Sequence, residues 1–250
     1  MLSEENNIHN IDDEKSNIDI NNNPHLNMGL AKLISIFVIG FVGLLVIEIL
    51  VELFLSQFSL SKAKFDGIKL FVSFGLILLC LNLVIGKDIK HFKNDYKEWK
   101  KFVIGVLIGL IIVMVSISYT HIINLFRPYE VNDNESRLRA IIDVFPVLSV
   151  IFMCFVGPLC EELTYRVGLF NIFYKKKWLA YVLATLVFTF MHFSFDSSDI
   201  IGELINLPIY LFCAFALTFS YDKFGLASSL SAHTVNNLYA VIAILVAKSL

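Results

Sequence analysis

The chain has 250 residues, 57% of them hydrophobic and 17% charged, with a formal net charge of −2 and a mean hydropathy of +0.72. Soluble domains are roughly 45–50% apolar, so this composition, gathered into long runs, excludes an ordinary soluble domain and indicates a polytopic membrane protein. The net charge says nothing about nucleic acid, and with no basic patch interleaved with aromatics no nucleic-acid partner is expected.

Residues 1–27 contain eight asparagines among acidic residues and no long apolar run, the composition of a disordered tail. A secretory signal begins with basic residues and this start is acidic, so the first apolar run is expected to stay in the membrane. Seven apolar stretches follow, near 29–55, 67–86, 102–125, 144–170, 178–194, 203–221 and 226–247. Each is long enough, or nearly so, to cross ~30 Å of hydrocarbon at ~1.5 Å per residue. The fourth contains Pro146, Gly157 and Pro158, which predicts a kink or a split into two pieces. The expected fold is therefore all-α, a polytopic transmembrane helix bundle with seven or eight spans.

The connection over 87–101 alternates basic and acidic residues with Phe92, Tyr96 and Trp99. It reads as a solvated connector with aromatic interface anchors; the alternative is a helix lying on anionic headgroups. With seven spans the tail shares a side with the loops 87–101, 171–177 and 222–225, and that side holds twelve of the lysines and arginines against seven opposite. The positive-inside rule then predicts a multi-pass protein of the cell membrane with a cytoplasmic N-terminus. The four cysteines lie in apolar runs without metal-type spacing and read as small buried hydrophobes.

Three polar islands interrupt the later stretches. The first holds Glu161, Glu162 and Arg166. Charges at membrane depth cost roughly 2.5–3.5 kcal/mol each on insertion scales, so they are rare and usually functional. Residues four apart share a helix face, which pairs Glu162 with Arg166 and leaves Glu161, turned about 100° away, as the free carboxylate. The second island ends the fifth stretch, with Phe188 one turn before His192. The third is in the last stretch, where His233 and Asn237 share a face and can both donate hydrogen bonds to one point. Helix rise puts Glu161 and His192 about 20 Å from the same side, with His233 and Asn237 at roughly 12–18 Å, so the islands can meet in one cavity. Taken singly, each island has a structural reading: a clamp for Glu162 and Arg166, interhelical hydrogen bonds for the others.

Glu-Glu-x-x-x-Arg at 161–166, Phe-x-x-x-His at 188–192 and His-x-x-x-Asn at 233–237 resemble the signature motifs of the CPBP family, the CAAX proteases and bacteriocin-processing enzymes also called Abi. The resemblance covers about residues 144–247; Tyr165 stands where Phe is usual and Val167 where Gly is usual. The apolar runs give N-terminal transmembrane helices over 28–143, and the resemblance implies a catalytic transmembrane core over 144–250. The implied activity is an intramembrane endopeptidase, in which Glu161 and His192 activate a water, His233 and Asn237 stabilise the oxyanion, and Glu162 and Arg166 support the site. Two histidines and a glutamate can also ligate zinc, but there is no His-Glu-x-x-His and Asn is a poor zinc ligand, so a glutamate-activated water without a metal is favoured. The implied partners are membrane lipid and a membrane-associated peptide or protein substrate, in bacterial peptide processing or bacteriocin self-immunity. The alternative is a non-catalytic membrane immunity or sensor-regulating protein. A proton-coupled transporter is disfavoured, because no internal repeat is visible.

Overall fold

The computed structural model describes residues 28–126, 133–195, 197 and 199–249; the tail expected over 1–27 lies outside them. Every regular element among the described residues is helical. Helix α1 is Leu30–Leu55, α2 is Lys62–Ile85 and α3 is Ile89–Lys97. They are followed by α4 (Trp99–Asn124) and α5 (Asp133–Val144). The C-terminal part is α6 (Pro146–Phe170), α7 (Lys177–Phe190), α8 (Ile200–Phe224) and α9 (Leu226–Ser249).

Six helical segments of the described residues have the length and apolarity to cross a membrane. Their outward faces carry large apolar side chains, among them Leu53 at 61% and Phe54 at 64% exposure. Such exposure is unfavourable in water and costs nothing against lipid tails. The fifth expected stretch is shorter than its apolar composition suggested: α7 has 14 residues, ~21 Å of rise, and stops at Phe190. Another difference is α5, in a region expected to be loop. Its Arg139 donates to Glu135 one turn earlier (2.6 Å), and its buried Ile141 and Ile142 pack in one cluster with Phe71 of α2.

The lysine-rich connections gather at one end of the bundle. Lys32 of α1 binds the carbonyl of Ile85 (3.1 Å) and the carboxylate of Asp88. Asp95 of α3 accepts from Lys101 of α4 (2.7 Å) and from the Ala227 amide at the start of α9 (2.8 Å). Lys177 of α7 pairs with Asp222 of α8 at 2.8 Å. The expected sharing of one side by the loops 87–101, 171–177 and 222–225 is therefore met, and α1 starts there too. The connection over 87–101 is largely the helix α3, whose Phe92 is buried in the main core. Gly86 (φ 53°) separates α2 from α3 and Gly225 (φ 88°) joins α8 to α9, both in positive-φ backbone that only glycine adopts without strain.

Two close helix contacts fix the helices that carry the polar islands. A Cβ on Gly40 of α1 would fall on Thr164 of α6, and one on Gly168 of α6 would stand 2.9 Å from the Phe37 amide of α1. In α4, Gly105 and Gly109 face α9; a Cβ on Gly109 would lie 2.8 Å from the Ala232 carbonyl. Small residues four apart let helix backbones approach in this way inside membranes.

Candidate active site

Helix α6 is not a regular α-helix. It widens to π geometry over Phe152–Val156 and again over Glu162–Phe170. Proline chemistry accounts for the first stretch. The Gly157 amide donates to the Phe152 carbonyl, five residues back, and the next i→i+5 donor would be Pro158, which has no N–H. The Met153 carbonyl is therefore left without its helical partner. The side-chain amide of Asn237, from α9, donates to it at 2.8 Å. At the other end, Asn171 donates to the carbonyls of Arg166 (3.0 Å) and Val167 (2.9 Å), closing the second wide stretch.

Glu161 ends the α-helical turn and Glu162 begins the wide one. Glu162 is fully buried, whereas the Glu161 side chain is 20% exposed. Glu162 Oε1 meets Arg166 Nη1 at 3.1 Å and His233 Nδ1 at 2.9 Å. Arg166 is itself fully buried; it donates Nη2 to the Ala214 carbonyl of α8 (3.2 Å) and lies 4.5 Å over the Phe188 ring. Beside Arg166 the Glu162 carboxylate is an acceptor, so the hydrogen on His233 Nδ1 points to it. His233 Nε2 then faces Glu161 Oε2 at 3.4 Å. That is long for a direct hydrogen bond, and a small approach of the two groups would let them share a proton.

His192 lies in the turn just beyond α7. Its Nδ1 donates to the Phe188 carbonyl (3.0 Å), leaving Nε2 outward, and its ring lies between Phe188 (4.7 Å) and Tyr210 of α8 (5.4 Å). Phe188 also meets the ring of His233 edge-on at 5.7 Å. This one ring thus touches His192, His233 and Arg166, a larger role than stacking on His192 alone.

The predicted residues therefore divide. Glu161, Glu162, Arg166 and His233 are in direct contact, His192 joins them through Phe188, and Asn237 is held by the α6 backbone. Asn237 was expected to donate to the same point as His233; one of its two amide hydrogens is instead committed to Met153. Sequence reasoning did not find Tyr210, the Ala214 carbonyl or the direct Glu162–His233 contact. The Glu162–His233 contact joins groups 71 residues apart, which no local pattern encodes. The thiol of Cys160 is buried and turned to the Phe74 carbonyl (3.7 Å), away from the carboxylates. Among the described residues no group of three or more His, Cys, Asp and Glu is placed to hold a metal ion.

Comparison with known proteins gives the same direction. Residues 143–239 match the family described as type II CAAX prenyl endopeptidase Rce1-like. An uncharacterised protein of Mycoplasma capricolum is 28% identical over 61% of this chain, and that match spans only 47% of the relative's length. UPF0177 protein YvdC of Lactococcus lactis is 26% identical over 73% of this chain and 68% of its own. The membrane-embedded CAAX protease MroQ of Staphylococcus aureus is 26% identical over 81% of this chain and 83% of its own. No solved structure matches the chain.

Proposed function

We propose that this chain, a membrane protein of the CPBP family, is an intramembrane endopeptidase that uses Glu161 as its general base. The observation that carries the reading is the difference in access within one polar cluster. Glu162, Arg166 and His233 are sealed, at 3% exposure or less, while the Glu161 carboxylate remains partly open, 3.4 Å from His233 Nε2.

In the proposed reaction Glu161 takes a proton from water, and the resulting hydroxide attacks the carbonyl carbon of the scissile peptide. His192 presents Nε2 towards the same water, because Nδ1 is held by the Phe188 carbonyl. The peptide oxygen gains the negative charge, and the second amide hydrogen of Asn237 and, once Nε2 carries a proton, His233 are the groups to receive it. As the C–N bond breaks, the proton held by Glu161 passes to the leaving amine. Glu162 fixes the orientation of His233, and Arg166 holds Glu162 in place. The substrate class is a membrane-associated peptide or protein, cleaved at the depth of the polar cluster. The lysine-rich end is the cytoplasmic one in this reading, with the N-terminus on that side.

The test is Glu161→Gln. A general base contributes about 10²- to 10⁴-fold to rate. The expected outcome is loss of cleavage of a membrane peptide on that scale, with insertion and melting temperature unchanged. Wild-type turnover by a folded Glu161→Gln protein would refute the assignment.

A further inference from the structure

A cavity of about 460 Å³ lies between α2, α3, α6 and α9. Its walls are almost wholly apolar, with Leu78 and Ile85 from α2, Leu159 and Leu163 from α6, and Leu226 from α9. The volume is that of a site for a small ligand. Its polar lining groups are Asn82, Lys93 and Tyr96, from the end of α2 and from α3 at the lysine-rich end of the bundle. An occupant therefore needs an apolar body and one polar end.

The charge around that end has a definite sign. Asp88 is engaged by Lys32 and Asp95 by Lys101. Lys87, Lys90, Lys93, Lys97 and Lys100 make no ion pair among the described residues, although Lys93 stands directly in the cavity wall. Five uncompensated ammonium groups within fourteen positions, beside a slot lined by leucine and isoleucine, complement an anionic amphiphile. Basic pockets between membrane helices bind acidic lipid headgroups on the same principle.

We propose that this cavity holds an acyl chain of an anionic phospholipid from the surrounding bilayer, with its headgroup on Lys93. The site is distinct from the glutamate and histidine cluster, and the inference stands whether or not the chain is a protease. Its walls nevertheless reach both helices of that cluster. Leu159 and Leu163 flank the two glutamates in α6, and α3 holds the start of α9 through Asp95.

The experiment uses the full chain, purified in mild detergent and stripped of lipid. Binding of phosphatidylglycerol and of phosphatidylcholine with identical chains is measured by native mass spectrometry at fixed ionic strength. Phosphatidylglycerol is expected to bind at least about fivefold tighter, the contribution of one lysine near an acidic surface. Lys93→Gln should remove that preference, and Leu78→Trp, which fills the slot, should weaken both lipids. Asn82→Trp blocks the polar side from an exposed position and serves if Leu78→Trp melts early without lipid. Equal binding of the two headgroups by the wild type overturns the proposal, as does an undiminished preference in Lys93→Gln. Full binding in both tryptophan variants overturns it too. Because the readout is lipid retention, its failure is separable from failure of the proteolytic reading.

Discussion

Arg166→Met tests the electrostatic logic of the site most directly. The guanidinium and the Glu162 carboxylate are both completely buried and 3.1 Å apart. Removing one partner of such a pair costs about 3–5 kcal/mol, because the other charge is left without compensation. The cation–π contact with Phe188 (4.5 Å) contributes about 2 kcal/mol more. The lost hydrogen bond to the Ala214 carbonyl is a smaller effect, since the Thr218 hydroxyl also donates there at 2.8 Å. The stranded carboxylate therefore dominates, and native proteins have only about 5–15 kcal/mol to lose. Arg166→Met should unfold far earlier than wild type in detergent. The double variant Glu162→Gln, Arg166→Met removes both charges yet keeps an amide oxygen for His233 Nδ1. It should regain most of the lost stability, while peptide cleavage stays at least about tenfold down because His233 no longer faces a carboxylate. A complete cycle of unfolding free energies, run beside single-turnover cleavage, measures both. If Arg166→Met melts with the wild type, or if the double variant is no more stable than the single one, the buried pair does not hold this site together.

Two further perturbations address the scaffold. Gly40→Ala places a methyl on Thr164 and should cost about 1–3 kcal/mol by overpacking, whereas Gly75→Ala, with nothing within 4 Å of its Cβ, should be neutral or stabilising by up to about 1 kcal/mol; thermal unfolding of the two variants side by side checks the contrast. Asp95→Ala removes the carboxylate shared by the Ala227 amide and Lys101 and should destabilise the start of α9 by about 1 kcal/mol, visible as faster amide hydrogen exchange over 226–230.

The helix pattern and the three polar islands were legible because they rest on local rules. An apolar run announces a span, and a spacing of four pairs Glu162 with Arg166. The end of α7 was not legible in this way. Phe193 and Phe195 continue the apolar composition past Phe190, but the backbone there has changed partners, with the Ser194 amide directed to the buried carboxylate of Glu203 at 3.4 Å. Helix α5 escaped notice because its first half, from Asp133 to Arg139, is too polar for an apolar-run reading. Its sequence signal was the pairing of Glu135 with Arg139 ahead of Ile141 and Ile142. The wide turns of α6 had a partial signal in Gly157-Pro158. What that signal could not give is the consequence, a Met153 carbonyl that takes Asn237 from another helix.

The first hundred described residues hold the site from outside it. They carry none of the three motifs, and the family match begins only at residue 143. Yet the two helices with the catalytic candidates are each braced from that region by glycine contacts that tolerate no side chain. Helix α1 lies against the wide turn of α6 through Gly40 and Gly168, and α4 lies against α9 through Gly105 and Gly109. Gly-x-x-x-Gly at 105–109 is the sequence signal for the second brace. In a bilayer, where apolar surface alone gives helices little reason to associate, such close fits set their spacing. The 2.9 Å and 3.4 Å approaches of His233 to Glu162 and Glu161 require α9 and α6 to be held within a fraction of an ångström. The proposed chemistry belongs to residues 161–237, and the spacing of the helices that carry those residues is set by α1 and α4.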